Sequence, residues 1–233
     1  MEVILAGAGT PTPPPVTALV DADLLEEVPP DVEELLCLLP HADVYLQDEI
    51  QFAFHPTLTR VWCRKGRRGQ RLVEAPGAND KLYGFGLVDW CDGWLERRLA
   101  PGRTADVFCA QVRAAVARSR ARGRTAIVIV DNLRTHTPAG SRLVRQMLAE
   151  LHDHLRLVYT PAYDPDANRI EWLGRWSRRE VTHNHQRMTF AALLADIQEH
   201  FETLCQHPNL VLRQIGSPFA DLKSEDQALA CAA

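Results

Sequence analysis

The run Ala126-Ile127-Val128-Ile129-Val130 constrains this chain more than any other segment. Its residues are apolar at both parities, and four of the five are β-branched. A strand of that kind is stable only in the middle of a sheet with both faces covered. Leu155–Tyr159 reads as a second buried strand. Around these two, Asp106–Arg122, Ser141–Leu151, Asp166–Val181 and Thr189–Cys205 carry apolar residues at helical spacing, and Gly123 is placed to stop the first of them. Upstream the period changes to two. Val44, Leu46, Ile50, Phe52 and Phe54 share one parity, while Tyr45, Gln47, Glu49, Gln51 and His55 share the other, which predicts a long half-buried strand. Further strands are expected at Val61–Arg64, Lys81–Asp89 and Trp94–Leu99, with Gly66, Gly69, Gly77 and Gly93 at the turns. Short connections first and alternating strands and helices afterwards predict an α/β fold: an antiparallel meander followed by parallel strands, flanked by helices.

At 233 residues the chain suits one domain with appendages. Pro11, Pro13, Pro14, Pro15, Pro29, Pro30 and Pro40 exclude long helices or central strands from residues 1–40. That stretch reads as an acidic, proline-rich leader, with one short helix over Asp31–Leu39. Gly7-Ala8-Gly9 looks like half of a dinucleotide-binding loop, but prolines stand where the receiving helix should begin. Residues 41–218 are the expected folded unit and 219–233 a tail. No apolar run approaches the ~18 residues that cross a bilayer, and Val3–Ala6 is too short for a signal-peptide core. Six scattered cysteines without a C-x-x-C pair predict reduced thiols and a cytoplasmic protein, not a zinc site. The net charge of −4 conceals a division. The first 49 residues hold eleven of the 30 acids and none of the 26 bases, so the remainder carries about +7 and is suited to nucleic acid.

Three carboxylates stand out. Asp48 shares the parity of Val44, Leu46 and Ile50, so it points to the face that the strand otherwise buries. An ionised carboxylate there needs a cation, a donor or a proton. Its neighbour Glu49 points the other way and reads as solvated. Asp131 follows Val130 at the carboxyl end of the buried run, where ligand-binding residues of such sheets gather, although a strand-end Asp also starts many ordinary loops. Glu171 sits in a helix among Ile170, Trp172, Leu173 and Trp176. It could equally form a surface i,i+4 pair with Arg175. As a set these acids are hard oxygen donors on three elements, which favours Mg²⁺ or Mn²⁺ over zinc.

In order along the chain, "YLQDE", "IVIVDNLRTH" and "YTPAYDPDANRIEWL" resemble the catalytic domain of DDE transposases, in particular the bacterial insertion-sequence branch of the mariner superfamily. The resemblance runs from about His41 to Pro218. It implies an RNase H-like fold. It also implies a catalytic, metal-binding triad of Asp48, Asp131 and Glu171, holding two Mg²⁺ or Mn²⁺ ions for DNA strand cleavage and strand transfer. Asn132, His136 and Asn168 match positions that support such sites. The implied partner is double-stranded DNA, both element ends and target, gripped by a homodimer. Two departures are plain: Arg169 stands where the family usually has proline, and no helix-turn-helix region precedes Asp48. Three readings stay open on that departure: a second reading frame, a truncated copy, or a partner for a separately encoded helix-turn-helix DNA reader.

The basic residues fall into groups. Arg60, Arg64, Lys65, Arg67, Arg68 and Arg71 surround a glycine-containing turn without an intervening acid, and are expected to grip phosphates. Arg175, Arg178 and Arg179 lie together downstream of Glu171. Arg113, Arg118, Arg120, Arg122 and Arg124 read equally well as an exposed helix face. His183-Asn184-His185 lacks the further ligands of a zinc site, and Trp172 and Trp176 read as core packing. Two other functions stay open on sequence: an inactive remnant that binds DNA or an intact transposase, and an RNase H-like nuclease without strand transfer.

Overall fold

Strand β4 (Thr125–Val130) lies near the middle of a five-stranded sheet, and its Ala126–Val130 run is buried on both faces, as its composition requires. A computed structural model describes residues 41–220 apart from 61, 63, 66–71, 75, 77 and 162–167. The leader with its expected Asp31–Leu39 helix, the residues from 221 onward, Arg67, Arg68 and Arg71 lie outside the described residues.

The sheet is ordered β3-β2-β1-β4-β5, from β1 (Ala42–Ala53), β2 (Lys81–Asp89), β3 (Leu95–Ala100), β4 and β5 (Leu155–Tyr159). The pairs β1–β2 and β2–β3 are antiparallel; β1–β4 and β4–β5 are parallel. This is the mixed sheet that the two periodicities predicted. Helices α1 (Ala105–Ala121) and α2 (Arg142–Glu150) belong to one face, where Tyr45, Phe108, Val112, Val128 and Met147 form a core. Helices α3 (Ile170–Val181), α4 (Phe190–Gln206) and α5 (Pro208–Gln214) belong to the other, with Leu46, Ile129, Leu173, Ile197 and Leu212. Ser141 and Thr189 cap α2 and α4 through their side chains, to the N–H of Val144 and Ala192. Phe219 packs into the second core, so the packed chain extends past the expected boundary at 218.

Four expectations need correction. β1 is buried on both faces at its centre: Gln47 and Glu49, of the parity expected to meet water, are covered on the α1 side. No strand forms at Trp62 or Arg64 within the expected Val61–Arg64 strand, and Trp62 stands fully exposed with no sheet to join. Instead the segment after β1 is tied to the end of α3: Thr57 bonds Thr182 and Asn184, and the Asn184 amide bonds Thr59. The helix carrying Glu171 begins at Ile170, because Asn168 and Arg169 are spent on the turn that precedes it. Finally, Cys91 is disulfide-bonded, whereas Cys109 and Cys205 are free thiols. Separation along the sequence said nothing about which thiols fold together.

The β2–β3 turn depends on Gly93, at φ +73°, where an added Cβ would stand 2.5 Å from the Pro208 carbonyl oxygen. The left-handed conformation alone costs a side-chain-bearing residue roughly 1–2 kcal/mol. Gly93→Ala is therefore expected to lower unfolding stability by at least that amount in urea titrations, while Gly123→Ala, with open space around its Cβ, loses only the conformational part.

Candidate active site

The parallel register of β1 and β4 ends at Leu46↔Ile129. Two residues further along each strand stand Asp48 and Asp131, so the pairing that buries the sheet centre delivers both acids to the same end of the sheet. Beyond that point β4 has ended and β1 continues alone beside β2, with Asp48 opposite Gly86. The gap is bridged from the helix side. Asn168, itself buried, donates its Nδ2 to the Gln47 carbonyl at 2.7 Å, and its own carbonyl accepts the Glu171 N–H at 3.0 Å. The start of α3 is thereby fixed one residue from Asp48. Asp48, Asp131 and Glu171 line one cleft of about 470 Å³, together with Gly174, Arg103 and Arg178.

The electrostatics differ from acid to acid. Burial pushes the Asp48 carboxyl from 3.8 up to about 7. The Glu49 N–H on its Oδ1 (2.7 Å) opposes the rise, and the negative charges of Glu49, Asp131 and Glu171 add to it. Burial also acts on Asp131, but its hydrogen bond to His136, the His136 charge, the Leu133 N–H and Arg103 outweigh it and hold Asp131 below the usual carboxylate range. His136 is 1% exposed and stacks on Phe108, with ring centroids 4.3 Å apart. Burial disfavours its charge, yet hydrogen bonds from Nδ1 to Asp131 (2.6 Å) and from Nε2 to Glu49 (2.7 Å) push it up to about 9. It is an imidazolium that donates to two carboxylates. Glu49 is therefore not the solvated neighbour its parity suggested: its side chain is 2% exposed and bonded to both His136 and Gln47. Asn132 ties the end of β4 to the Thr160 carbonyl at 2.6 Å.

Hard carboxylate oxygens, an Asp48 raised by burial and further by its acidic neighbours, and an Asp131 whose hydrogen bonds from the described residues fall on Oδ1 are the chemistry that suits Mg²⁺ or Mn²⁺. Among the described residues, no group of three or more His, Cys, Asp or Glu is placed to hold a metal ion, so the three acids line the cleft without forming a ready-made site.

The other sequence candidates separate clearly. Arg178 lines the cleft, one helical face along from Glu171, and Arg175 and Arg179 are exposed on the same helix. Arg64 and Lys65 are exposed on the segment after β1 and do not line the cleft. Of the arginines on and just after α1, Arg113 and Arg120 are exposed, while Arg118, Arg122 and Arg124 are tied into the fold. Arg118 is bound to buried Asp89 (2.5 Å) and to Asp92 (2.6 Å) and lies over Trp94, while Arg122 and Arg124 reach Asp92 and Asp43. His185 stacks on Phe54 and Asn184 clamps Thr59, so that motif is structural. Trp172 is 38% exposed, more than core packing implied. Sequence reasoning missed Arg103, which follows the Pro101-Gly102 turn with nothing local to mark it, and it missed the burial of Glu49.

Residues 43–194 match the family described as DDE superfamily endonuclease. The chain belongs to that family. The chain is 28% identical over 165 residues to the "Insertion element IS630 uncharacterized 39 kDa protein" of Shigella sonnei, an alignment covering 71% of this chain and 46% of that protein. It thus spans about half the length of the curated relative. Its fold is shared with the Mos1 mariner paired-end complex with Mn, at a TM-score of 0.58 and 16% identity over 99% of this chain and 66% of that one. The Mos1 transposase paired-end complex with left transposon end gives a TM-score of 0.53 at 16% identity, over 94% of this chain and 68% of that one. The expected RNase H-like fold is the one observed. Among the described residues, no helix is long and apolar enough to cross a membrane.

The raised Asp48 carboxyl has a measurable consequence. Because it titrates higher when folded than when unfolded, metal-free protein is expected to lose stability as pH rises from about 4 to about 7. Asp48→Asn removes that loss. Thermal unfolding in EDTA should therefore show the variant more stable than wild type at pH 8 and no more stable at pH 4.

Proposed function

We propose that this chain cleaves DNA and transfers the cut strand in the transposition of an insertion sequence, using two divalent cations held by Asp48, Asp131 and Glu171. The observation that carries this reading is that three acids from β1, the end of β4 and α3 line one cleft at the carboxyl end of the parallel pair. Bound there, Mg²⁺ or Mn²⁺ supplies the Lewis acidity that phosphodiester attack needs. The protein's own contribution is placement. Register fixes Asp48 beside Asp131, and the Asn168 bridge to Gln47 fixes the helix that carries Glu171. Arg103 and Arg178, on the walls of an otherwise acidic cleft, pair with phosphate oxygens of the strand to be cut, while Arg175 and Arg179 steer the backbone toward it. Arg64, Lys65, Arg67 and Arg68 hold duplex DNA through its phosphates.

The family match supports endonuclease chemistry, and the insertion-element relative and the Mos1 complexes support transposition as its purpose. One set of carboxylates serves one DNA end, so pairing two ends calls for a homodimer on DNA. We infer a cytoplasmic site of action, where bacterial DNA lies.

Nicking of supercoiled plasmid and joining of a pre-cleaved element end to target DNA test the reading. Wild type is expected to do both with Mn²⁺ and neither in EDTA. Asp48→Asn, Asp131→Asn and Glu171→Gln should each lose at least about 100-fold in rate while remaining folded, the scale for removing one electrostatic group from a preorganised site. Undiminished nicking by Asp131→Asn would overturn the assignment.

A further inference from the structure

On the side of β1 opposite Asp48, Gln47, Glu49 and His136 are all buried, and their polar atoms connect in one line: Gln47 Nε2 donates to Glu49 Oε1 (3.2 Å), His136 Nε2 donates to the same oxygen (2.7 Å), and His136 Nδ1 donates to Asp131 Oδ1 (2.6 Å). Asp131 and Glu49 both line the cleft, but the Asp131 side chain is 44% exposed, whereas the side chains of His136 and Glu49 are 1% and 2% exposed. Removing two such groups from water is costly unless each is fully paired, and here each is paired through the other. Phe108 stacks on the His136 ring and the Tyr159 hydroxyl donates to the His136 backbone carbonyl at 3.0 Å.

Building on the metal-dependent reading above, we propose that Glu49 and His136 are a positioning pair for Asp131. Glu49 fixes the orientation of the imidazole, and the imidazole, with the Leu133 N–H, occupies Oδ1, so that Asp131 turns only Oδ2 toward a cation in the cleft. Neither member of the pair touches the cation. Their effect is on how sharply Asp131 is aimed, which is the role hydrogen-bonded partners of ligands play in metal sites, where their loss costs about 10–100-fold in affinity.

The geometry separates this role from simple packing. An Asn side chain places its amide nitrogen where imidazole Nδ1 stands, and a Gln side chain places it near Nε2. His136→Asn therefore keeps the donor to Asp131, and His136→Gln keeps only the donor to Glu49. Mn²⁺ binding to the full chain without DNA, followed by electron paramagnetic resonance titration, should fall by about tenfold or more for His136→Gln and by clearly less for His136→Asn. Glu49→Gln, which keeps an acceptor oxygen but not the charge, should bind Mn²⁺ less tightly than wild type and more tightly than Glu49→Leu. Circular dichroism and melting in EDTA report folding independently, and the near-isosteric Glu49→Gln carries the test should Glu49→Leu fail to fold. Equal affinity in wild type, His136→Gln and Glu49→Gln, or equal losses in the two His136 variants, would overturn the positioning role while leaving the metal site standing. Absence of Mn²⁺ binding by wild type would instead overturn the metal-dependent reading, and this role with it.

Discussion

Parallel pairing of β1 with β4 is the constraint on which the rest of the molecule depends. The pair is buried from both sides, so its register cannot slip without turning a whole set of apolar side chains toward the wrong layer. A one-residue slip would move Asp48 out of line with Asp131. The acids that define the cleft are thus positioned by the hydrophobic effect acting a few residues away, on Val44, Leu46, Ile127 and Ile129.

The two ends of this sheet handle acidic residues differently. Toward one end, Asp43, Asp89 and Asp92 meet Arg118, Arg122 and Arg124, and the counter-charges belong to the fold. Such buried pairs cost desolvation that their attraction roughly repays, and removing one partner is what destabilises. Toward the other end, Asp48 has acids for neighbours, and its carboxyl is lifted to about 7. Asp131 is given a buried partner in His136, which is shared with Glu49. The chain neutralises its acids where they serve architecture and gathers three of them along one cleft where a hard cation would suit them.

Much of this was legible from residues. The unbroken run before Asp131 required a central strand, and parity singled out Asp48 over Glu49 as the acid facing the Leu46 side. Helical spacing located every described helix except the short α5, with α3 starting later than its pattern implied. What could not be read has a common cause: periodicity reports which side chains share a face, not what covers that face. Tyr45, Gln47 and Glu49 alternate as a solvated set would, yet α1 lies over them. Arg118 and Arg122, four apart, look like an exposed stripe because the acids they bind come from the ends of β1 and β2, remote in sequence. Arg103 and the link from His136 to Glu49 arise only when separate segments meet.

The central claim is that Asp48, Asp131 and Glu171 together hold divalent cations. Anomalous diffraction from crystals of the chain soaked in Mn²⁺ tests it most directly. The account predicts manganese peaks in the cleft, with oxygens of all three acids at coordination distance and Asp131 contributing Oδ2. Manganese bound elsewhere, or a cleft peak that Glu171 does not reach, would contradict it.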